Sequence, residues 1–247
     1  MTKTLTHIGQ YVLLMQKALI RPPKGPVFRK QLVAEITNLG LDSAGIVAII
    51  SVFMGMVVTI QTAYNIDSPL IPVSMVGFTA RQSVILEFAP TIISLILAGK
   101  VGSRIASEIG TMRVTEQIDA LEVMGVNSAN FLIFPKIIAS ILFNPVLIML
   151  SILMSLLGGY LVALFTSLYT PTDYVTGLRF SFDGFTLYYA MIKTVVFAFI
   201  IASVSGFQGY FIKGGALEVG HASTRAVVQS SIMIILFNLI LTQLLLT

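Results

Sequence analysis

The sequence predicts an all-α integral membrane protein with an N-terminal interfacial amphipathic helix, about five transmembrane helices and a cytoplasmic helix between two of them. Of its 247 residues, 56% are hydrophobic and 11% are charged, too few charges to cover a water-facing surface. Apolar segments long enough to cross a bilayer recur along the chain, and its mean hydropathy is +0.92. No polar stretch is long enough for a second domain, so we expect residues 1–247 to form a single one.

The N-terminal segment predicts an amphipathic helix at the membrane surface and no cleavable signal peptide. Polar residues interrupt every apolar run, and the apolar positions recur three and four residues apart. These positions are Leu5, Ile8, Val12, Met15 and Leu19. A helix with this pattern lies flat at the interface. A first helix packed on the bundle is the alternative.

Five segments are apolar over about the length that a bilayer requires. They are Ala44 to Tyr64, Ser83 to Ala98, a stretch within Ile137 to Leu168, Leu187 to Phe207, and Val227 to Leu246. The second segment is short and contains Glu87. The third is long enough to tilt, and we expect Pro145 to bend it.

The basic residues predict the orientation of the chain. Two of them, Arg81 and Arg179, flank the spans on one side. Twelve flank the other side: Lys3, Lys17, Arg21, Lys24, Arg29, Lys30, Lys100, Arg104, Arg113, Lys136, Lys213 and Arg225. Because basic loops stay in the cytoplasm, we expect a cytoplasmic N-terminus and, after five spans, a periplasmic C-terminus. The segment Tyr169 to Thr186 is then an external loop with a short helix. The same rule explains the net charge of +4 better than a nucleic-acid partner does.

Small residues recur at four-residue spacing in three of the predicted spans. They are Ser51 and Gly55, then Ser151, Ser155 and Gly159, then Ala198, Ala202 and Gly206. This spacing allows helix backbones to approach closely in lipid. Packing within one chain and packing between two copies are both compatible with the pattern.

The segment Ala98 to Lys136 is predicted to be a long, charged cytoplasmic loop that contains a helix. The stretch from Thr115 to Met124 has helical periodicity. Together with the preceding Val114, the apolar side chains Ile118, Leu121 and Met124 share one arc of a helical wheel. The acidic side chains Glu116, Asp119 and Glu122 lie opposite, and Gly125 is placed to end the helix. Such a helix suits docking in a partner's groove. A surface helix that covers the ends of the spans fits equally well.

Two charged residues lie within predicted spans, where an unpaired charge is costly. We expect Glu87 to pair with Lys193 across a polar cavity near the outer leaflet, with Arg81 as a second possible partner. Gln61 and Tyr64, at the outer end of the first span, are predicted to line the same cavity. For Glu87 and Lys193 the alternative is an ion pair with a purely structural role. For Tyr64 the alternative is a role as a membrane anchor at the interface.

Several kinds of chemistry have no residues to support them. The sequence has no cysteine, which excludes disulfides and thiol nucleophiles. The nearest approach to a phosphate-binding loop, at Gly215 to Ala222, has His221 in place of the lysine and Ala222 in place of the hydroxyl. The two histidines, His7 and His221, lie in separate segments and form no zinc motif. We therefore expect no nucleotide, metal or catalytic site in this chain.

Two motif blocks resemble the MlaE-type permease subunit of ABC transporters that work with MCE lipid-carrier proteins. The family pattern includes E-x-G-P, A-G-R-x-G-S, A-E-I-G-x-M and T-E-Q-I-x-A-L-x-x-M-G-V-N-P, and it continues with G-G-A-x-G-V-G-x-A-T-T-x-A-V-V. The corresponding residues here are Glu87 to Pro90, Ala98 to Ser103, Ser107 to Met112, Thr115 to Asn127 and Gly209 to Val228. This sequence departs from the pattern at Lys100, Ala89, Ser107, Ser128 and Glu218. Lys100 in place of arginine keeps the charge but loses the planar fork.

The resemblance implies an ATP-driven lipid transporter, with phospholipid as substrate, in the inner membrane. It implies a homodimer of this chain, a separate ABC ATPase subunit that uses ATP and Mg²⁺, and an MCE-domain protein on the outer side. The loop helix would then couple to the ATPase. Its residues are Thr115, Glu116, Gln117, Asp119, Leu121, Glu122, Met124 and Gly125. A membrane-embedded lipid-modifying enzyme and a non-transporting scaffold are the alternatives.

Overall fold

A computed structural model describes residues 2–20, 25–66 and 71–246, so Arg21 and Lys24 of the charge count lie outside it. The described chain is helical and contains no strand. Its α-helices are α1 Thr2–Leu19, α2 Gly25–Glu35, α3 Asp42–Asn65, α4 Met75–Ser83, α5 Ile93–Leu97, α6 Ser103–Val114, α7 Gln117–Val123, α8 Ser128–Phe165, α9 Pro171–Arg179, α10 Phe185–Tyr210 and α11 Ala216–Leu246. Their order confirms the predicted fold class.

Short π-helical segments join neighbouring α-helices into longer rods. They are Ile36–Leu41 between α2 and α3, Val84–Ile92 between α4 and α5, and Ala98–Gly102 between α5 and α6. The described part of the chain therefore has five helical stretches that are long and apolar enough to cross a membrane. They are Gly25–Asn65, Met75–Val114, Ser128–Phe165, Phe185–Tyr210 and Ala216–Leu245, and each contains most or all of one predicted span.

The helical stretches extend well beyond the predicted spans. Met75–Val114 has 40 residues, a length of about 60 Å at 1.5 Å per residue, whereas the hydrocarbon core is about 30 Å thick. The predicted extent of the loop from Ala98 to Lys136 is therefore wrong, since only residues 115–127 separate α6 from α8. Hydropathy detects the apolar part of a helix, but backbone hydrogen bonding continues until a residue stops it. Helix α8 also continues through Pro145, and a bend there stays a prediction.

Helices α3 and α8 pack backbone to backbone through the predicted small residues. Ser51 Oγ donates to Ser151 Oγ at 2.8 Å, and Ser155 Oγ donates to the carbonyl of Ser51 at 3.0 Å. A Cβ atom on Gly55 would lie 1.9 Å from the carbonyl oxygen of Ser155. In α10, Gly206 similarly faces Ile133 of α8. These small residues therefore pack within the chain, as one of the two alternatives predicted.

Helix α1 combines the two arrangements that the sequence left open. Leu14, Met15 and Ala18 are buried, and Tyr11 donates a hydrogen bond to Ser203 of α10 at 2.8 Å. On the rest of its surface, apolar side chains from Leu5 to Leu19 remain exposed. One face of α1 thus packs on the bundle, while the others expose apolar side chains as an interfacial helix does.

Helices α4 and α9 form a second contact, on the side of the predicted external loop. Gly77 of α4 and Gly177 of α9 lie against the partner helix so closely that a Cβ atom on either would meet backbone. Arg81 donates to the carbonyl oxygens of Leu178, Phe180 and Ser181, where α9 ends. Arg81 therefore bonds to backbone carbonyl groups at the end of α9 and is not the second partner of Glu87. The predicted short helix in this segment is confirmed, and its external position stays a prediction.

A buried lysine joins three helices at the opposite end of the bundle. Lys136 of α8 is buried, and its Nζ lies 2.6 Å from Glu35 Oε1 of α2 and 2.8 Å from Glu108 Oε2 of α6. The sequence analysis placed Lys136 in a loop, but it lies within α8. Two carboxylates from separate helices thus share one buried ammonium group, which fixes these helix ends relative to each other.

The close contact between α3 and α8 predicts a strong position dependence for the same substitution. Gly55→Ala places a methyl group into the backbone of Ser155, and overpacking of this kind costs about 1–3 kcal/mol. Gly45→Ala on the same helix meets nothing within 4 Å. Thermal unfolding of both variants in detergent should show a lower Tm for Gly55→Ala only. Equal Tm values for the two variants would contradict the packing.

Candidate functional site

Glu87 and Lys193 form an ion pair inside the membrane-spanning part of the chain, as the sequence predicts. Lys193 Nζ lies 2.7 Å from Glu87 Oε1. The lysine side chain is 0% exposed, whereas that of Glu87 is 42% exposed. The ammonium group also lies 4.4 Å from the centroid of the Tyr189 ring. The pair is therefore one-sided, with its cation enclosed by protein and its carboxylate facing outward.

Neutral polar groups surround the carboxylate of Glu87 and complete its hydrogen bonding. Asn238 Nδ2 donates to Oε2 at 3.0 Å, and Thr91 Oγ1 lies 3.3 Å from the same oxygen. Thr242 Oγ1 and Tyr189 OH lie 3.3 Å and 3.5 Å from Oε1. In hydrocarbon an ionised group is tolerated only when such partners replace its water. The cluster, contributed by the second, fourth and fifth helical stretches, can keep Glu87 ionised.

The backbone beside Glu87 supplies a second acceptor for the lysine. Glu87 lies in the π-helical segment Val84–Ile92, which also contains Pro90. Lys193 Nζ lies 3.2 Å from the carbonyl oxygen of Leu86, the residue before Glu87. The buried ammonium group thus bonds to a backbone carbonyl in addition to the carboxylate of Glu87.

The carboxylate of Glu87 opens into a crevice of about 690 Å³. Apart from Glu87, its walls come from one face of α11: Ile232, Ile235, Leu236, Asn238, Leu239 and Thr242. Toward the C-terminal end of α11 this face is polar at Asn238 and Thr242, and its other lining residues are aliphatic. The crevice therefore combines a charged, hydrogen-bonding end with an apolar wall.

The structure separates the other two predicted substrate residues from this crevice. Gln61 and Tyr64 lie near the end of α3, and Tyr64 is 83% exposed. Neither residue lines the crevice. Their proposed sharing of one cavity with Glu87 is therefore wrong, because α11 and not α3 covers the carboxylate. A contact of Gln61 or Tyr64 with substrate elsewhere stays a prediction.

Four residues of the cluster were missed from the sequence: Thr91, Tyr189, Asn238 and Thr242. A usable signal was present, since Asn238 and Thr242 are polar residues one turn apart within a mainly apolar span. Thr91 follows Glu87, and Tyr189 precedes Lys193, by one turn in each case. Polar residues one turn from an intramembrane charge on the same helix are candidate partners for it, although the sequence does not show which helices face each other.

The ion pair predicts non-additive effects of neutralising its members. Glu87→Gln leaves a buried ammonium group without its counter-charge, which costs about 3–5 kcal/mol of folding free energy. Adding Lys193→Gln removes that unpaired charge, so the double variant should be more stable than Glu87→Gln alone. Unfolding free energies of the three variants and the unchanged chain in one detergent measure the coupling. Strictly additive losses would show that the two side chains do not interact.

The loop between α6 and α8 contains the predicted helix, but with different ends. Helix α7 is Gln117–Val123, so Thr115, Glu116, Met124 and Gly125 flank it. Glu116 has a left-handed backbone with φ of 61°, and Gly125, with φ of 75°, follows the helix as predicted. The predicted apolar arc is only partly buried: Ile118 is enclosed and Leu121 half-buried, whereas Met124 is 68% exposed. Met124 still donates its backbone N–H to the carbonyl oxygen of Ala120, as in a helix, yet the chain does not cover its side chain.

Hydrogen bonds hold α7 against the ends of two spans. Glu122 Oε1 accepts from Ser128 Oγ at 2.8 Å and from Tyr210 OH at 2.9 Å. Arg113 pairs with Asp119 at 2.7 Å. Two of the three predicted acidic residues therefore make contacts within the chain. Ser128, which stands where the family pattern has proline, supplies a hydroxyl that proline lacks.

Two asparagines connect the same loop to α1. Asn127 Nδ2 donates to the carbonyl of Lys17 at 3.0 Å, and Asn130 Nδ2 donates to that of Ala18 at 2.5 Å. These carbonyls belong to the last turn of α1, which has no helical partners for them. The loop, α1 and the first turn of α8 therefore form one connected unit.

The contacts of Glu122 predict a pH dependence of the loop. Hydrogen bonds from Ser128 and Tyr210 hold the pKa of the Glu122 carboxyl below its ordinary value of 4.5. A lowered folded-state pKa means that this stabilisation is complete above 4.5 and is lost as pH falls through the lower value. Hydrogen exchange of residues 117–123 should therefore accelerate on acidification below 4.5, once corrected for the intrinsic exchange rate.

The Glu122→Gln variant should lack most of this acid-induced step, because an amide does not titrate there. Gln117→Glu, which adds a carboxyl to the exposed face of the same helix, serves as the control and should retain it. An identical pH profile in Glu122→Gln and the unchanged chain would contradict the assignment.

The described residues contain no cluster of three or more His, Asp or Glu side chains suited to a metal ion. The charged groups of the site are instead paired with each other or with neutral donors. The arrangement is thus suited to holding a polar group beside an apolar surface.

Comparison with known proteins gives consistent matches over most of the chain. Residues 32–244 match the profile of the family described as Permease MlaE. A probable ABC transporter permease protein of Rickettsia bellii is 34% identical over 237 residues, which cover 96% of this chain and 91% of the relative. One of Synechocystis sp. is 34% identical over 221 residues, with 89% and 83% covered. The chloroplastic protein Trigalactosyldiacylglycerol 1 of Arabidopsis thaliana is 30% identical over 230 residues, with 93% and 65% covered.

Proposed function

Because this chain belongs to the MlaE permease family and is an ABC transporter permease, we propose that the molecule it moves is a lipid, most simply a phospholipid. In this proposal the lipid passes between the membrane and an MCE-domain carrier protein. ATP and Mg²⁺ are used by a separate ATPase subunit, and this chain binds no cofactor itself. The chain lies in the inner membrane with its N-terminus in the cytoplasm and its C-terminus in the periplasm.

The observation that carries the proposal is the crevice beside Glu87. A lipid has a polar head and about 30 CH₂ groups, and exposing these to water costs on the order of 20 kcal/mol at 0.8 kcal/mol each. A path for lipid therefore needs polar groups for the head beside an apolar wall for the chains. Glu87, Asn238 and Thr242 provide the first, and the aliphatic face of α11 provides the second. Lys193 would hold Glu87 in place.

The lipid assignment also draws on one relative. The Arabidopsis thaliana protein carries the name of a galactolipid, trigalactosyldiacylglycerol. A galactolipid and a phospholipid share two acyl chains on glycerol and differ in the head. The crevice, with a hydrogen-bonding end and a long aliphatic wall, suits this shared part of the two molecules.

The exposed residues of the loop suggest how an ATPase would dock. Val123 is 90% exposed and Met124 is 68% exposed, at the C-terminal end of α7. A neighbouring pair of exposed apolar side chains is suited to a partner's groove. The predicted coupling residues Glu116 and Gln117 lie at the opposite end of α7, while Leu121, Asp119 and Glu122 hold the loop to the chain. We therefore assign docking chiefly to Val123 and Met124.

The proposed assembly contains two copies of this chain. Helix α11 has a face of exposed aliphatic side chains, including Ile232, Ile235 and Leu239, along the open side of the crevice. A second copy seated there would close the crevice and make it a cavity between subunits. Nucleic acid has no role in this proposal, since the basic residues lie at the ends of spans.

Reconstitution with the ATPase and MCE proteins tests the proposal. Proteoliposomes should transfer a fluorescent phospholipid to or from the MCE protein only when ATP and Mg²⁺ are present. The double variant Val123→Glu and Met124→Glu should lose at least about tenfold of this transfer, which corresponds to 1.4 kcal/mol of docking free energy. Val123→Ile with Met124→Leu, which keeps the apolar surface, should retain it.

Two outcomes would contradict the proposed function. ATP-independent lipid turnover by this chain alone would indicate a lipid-modifying enzyme. An assembled complex that hydrolyses ATP but moves no lipid would remove the lipid assignment and leave a scaffold or another substrate.

A further inference from the structure

A second cavity, of about 480 Å³, lies between α1 and the junction of α10 with α11. It is separate from the crevice at Glu87, with which it shares no residue. It lies on the side of the chain that carries the loop helix, because Tyr210, which bonds to Glu122, is adjacent in sequence to its lining residue Phe211. No step of the proposed function uses it.

The charged side chains of this cavity give it a positive balance. Lys213 and Arg225 line it together with Glu218. Arg225 Nη2 lies 3.1 Å from Glu218 Oε2, so this carboxylate is already occupied. No carboxylate within the described residues pairs with Lys213, which is exposed at the junction. An anion that enters the cavity would therefore meet an ammonium group without a competing counter-ion.

The remaining walls are suited to the region where a lipid head joins its chains. Phe207 and Phe211 pack against each other with ring centroids 5.1 Å apart, and His7 of α1 meets Phe207 edge-on at 6.4 Å. Thr6 and Gln10 add polar groups from the same face of α1. On its other faces α1 exposes apolar side chains such as Ile8, which suit an interfacial position. A basic, polar and aromatic lining of this kind is suited to the phosphate and glycerol region of a lipid at an interface.

We propose that this cavity is a binding site for the phosphate of a glycerophospholipid, held by Lys213 and Arg225 beneath α1. Basic pockets between membrane helices bind lipid head groups in this way, through charge and hydrogen bonds at the depth of the interface. The aromatic walls contact the glycerol region, and the acyl chains lie along the exposed apolar face of α1. The site goes beyond the proposed function, because it is distinct from the transport crevice.

Photo-crosslinking on the purified full chain in a maltoside detergent, which has no phosphate, tests this site. The probe is phosphatidylglycerol with a diazirine at the start of one acyl chain, and labelled peptides are identified by mass spectrometry. Labelling should concentrate on residues 5–10 and 207–213. Diacylglycerol with the same diazirine, which lacks the phosphate, should label these peptides about fivefold less, the effect expected for one basic residue at an interface.

Substitutions separate this site from general charge effects. Lys213→Gln should reduce labelling by phosphatidylglycerol about fivefold. Lys30→Gln removes an exposed basic residue of α2 that does not line the cavity and should leave labelling unchanged. Since no ATPase or transport is involved, failure of the proposed transport function would not alter this result.

Three results would overturn the proposal. Equal labelling by the phosphate-free probe would show that the phosphate is not recognised. Unchanged labelling in Lys213→Gln would remove the assigned cation. Displacement of the lipid probe by millimolar inorganic phosphate would show that the cavity binds a soluble anion instead of a lipid head.

Discussion

The ion pair of Glu87 and Lys193 meets the condition that hydrocarbon imposes on every polar group, namely that protein must replace water. Lys193 is enclosed and bonds to Glu87 and to the carbonyl of Leu86. The positions of the second, fourth and fifth helical stretches are thus tied to one pair of charges. Their arrangement places the exposed side of the carboxylate against the polar residues Asn238 and Thr242 of α11.

The same condition accounts for the close packing elsewhere in the bundle. Lipid tails are as apolar as leucine side chains, so no hydrophobic driving force brings helices together in a bilayer. Helix contact there depends instead on close backbone packing and hydrogen bonds. Helices α3 and α8 achieve this through Ser51, Gly55 and Ser155. Helix α11, by contrast, keeps an exposed aliphatic face beside the polar cluster. A rigid bundle with one open, polar-ended side is the form that a path for an amphiphile requires.

Much of this organisation could be predicted from the sequence, and the failures have physical causes. Hydropathy located the five spans, and the cost of an unpaired charge in a span predicted the pairing of Glu87 with Lys193. Helix ends were misplaced because hydrogen bonding continues beyond the apolar part of a helix, as at 99–114. Gln61 was assigned to the crevice and Asn238 was missed because spacing along one helix does not show which other helix it faces. The exposure of Met124 depends on which faces of α7 the rest of the chain covers, and the helical pattern alone does not indicate this.

The central claim is that the loop containing α7 lies in the cytoplasm, where an ATPase can reach it. Since the sequence has no cysteine, Gln117→Cys and Thr172→Cys each introduce a unique label site, on the loop and on α9. A membrane-impermeant maleimide applied to spheroplasts should label Thr172→Cys only, and applied to inverted vesicles it should label Gln117→Cys only. Labelling of Gln117→Cys in intact spheroplasts would place the loop outside and contradict the account.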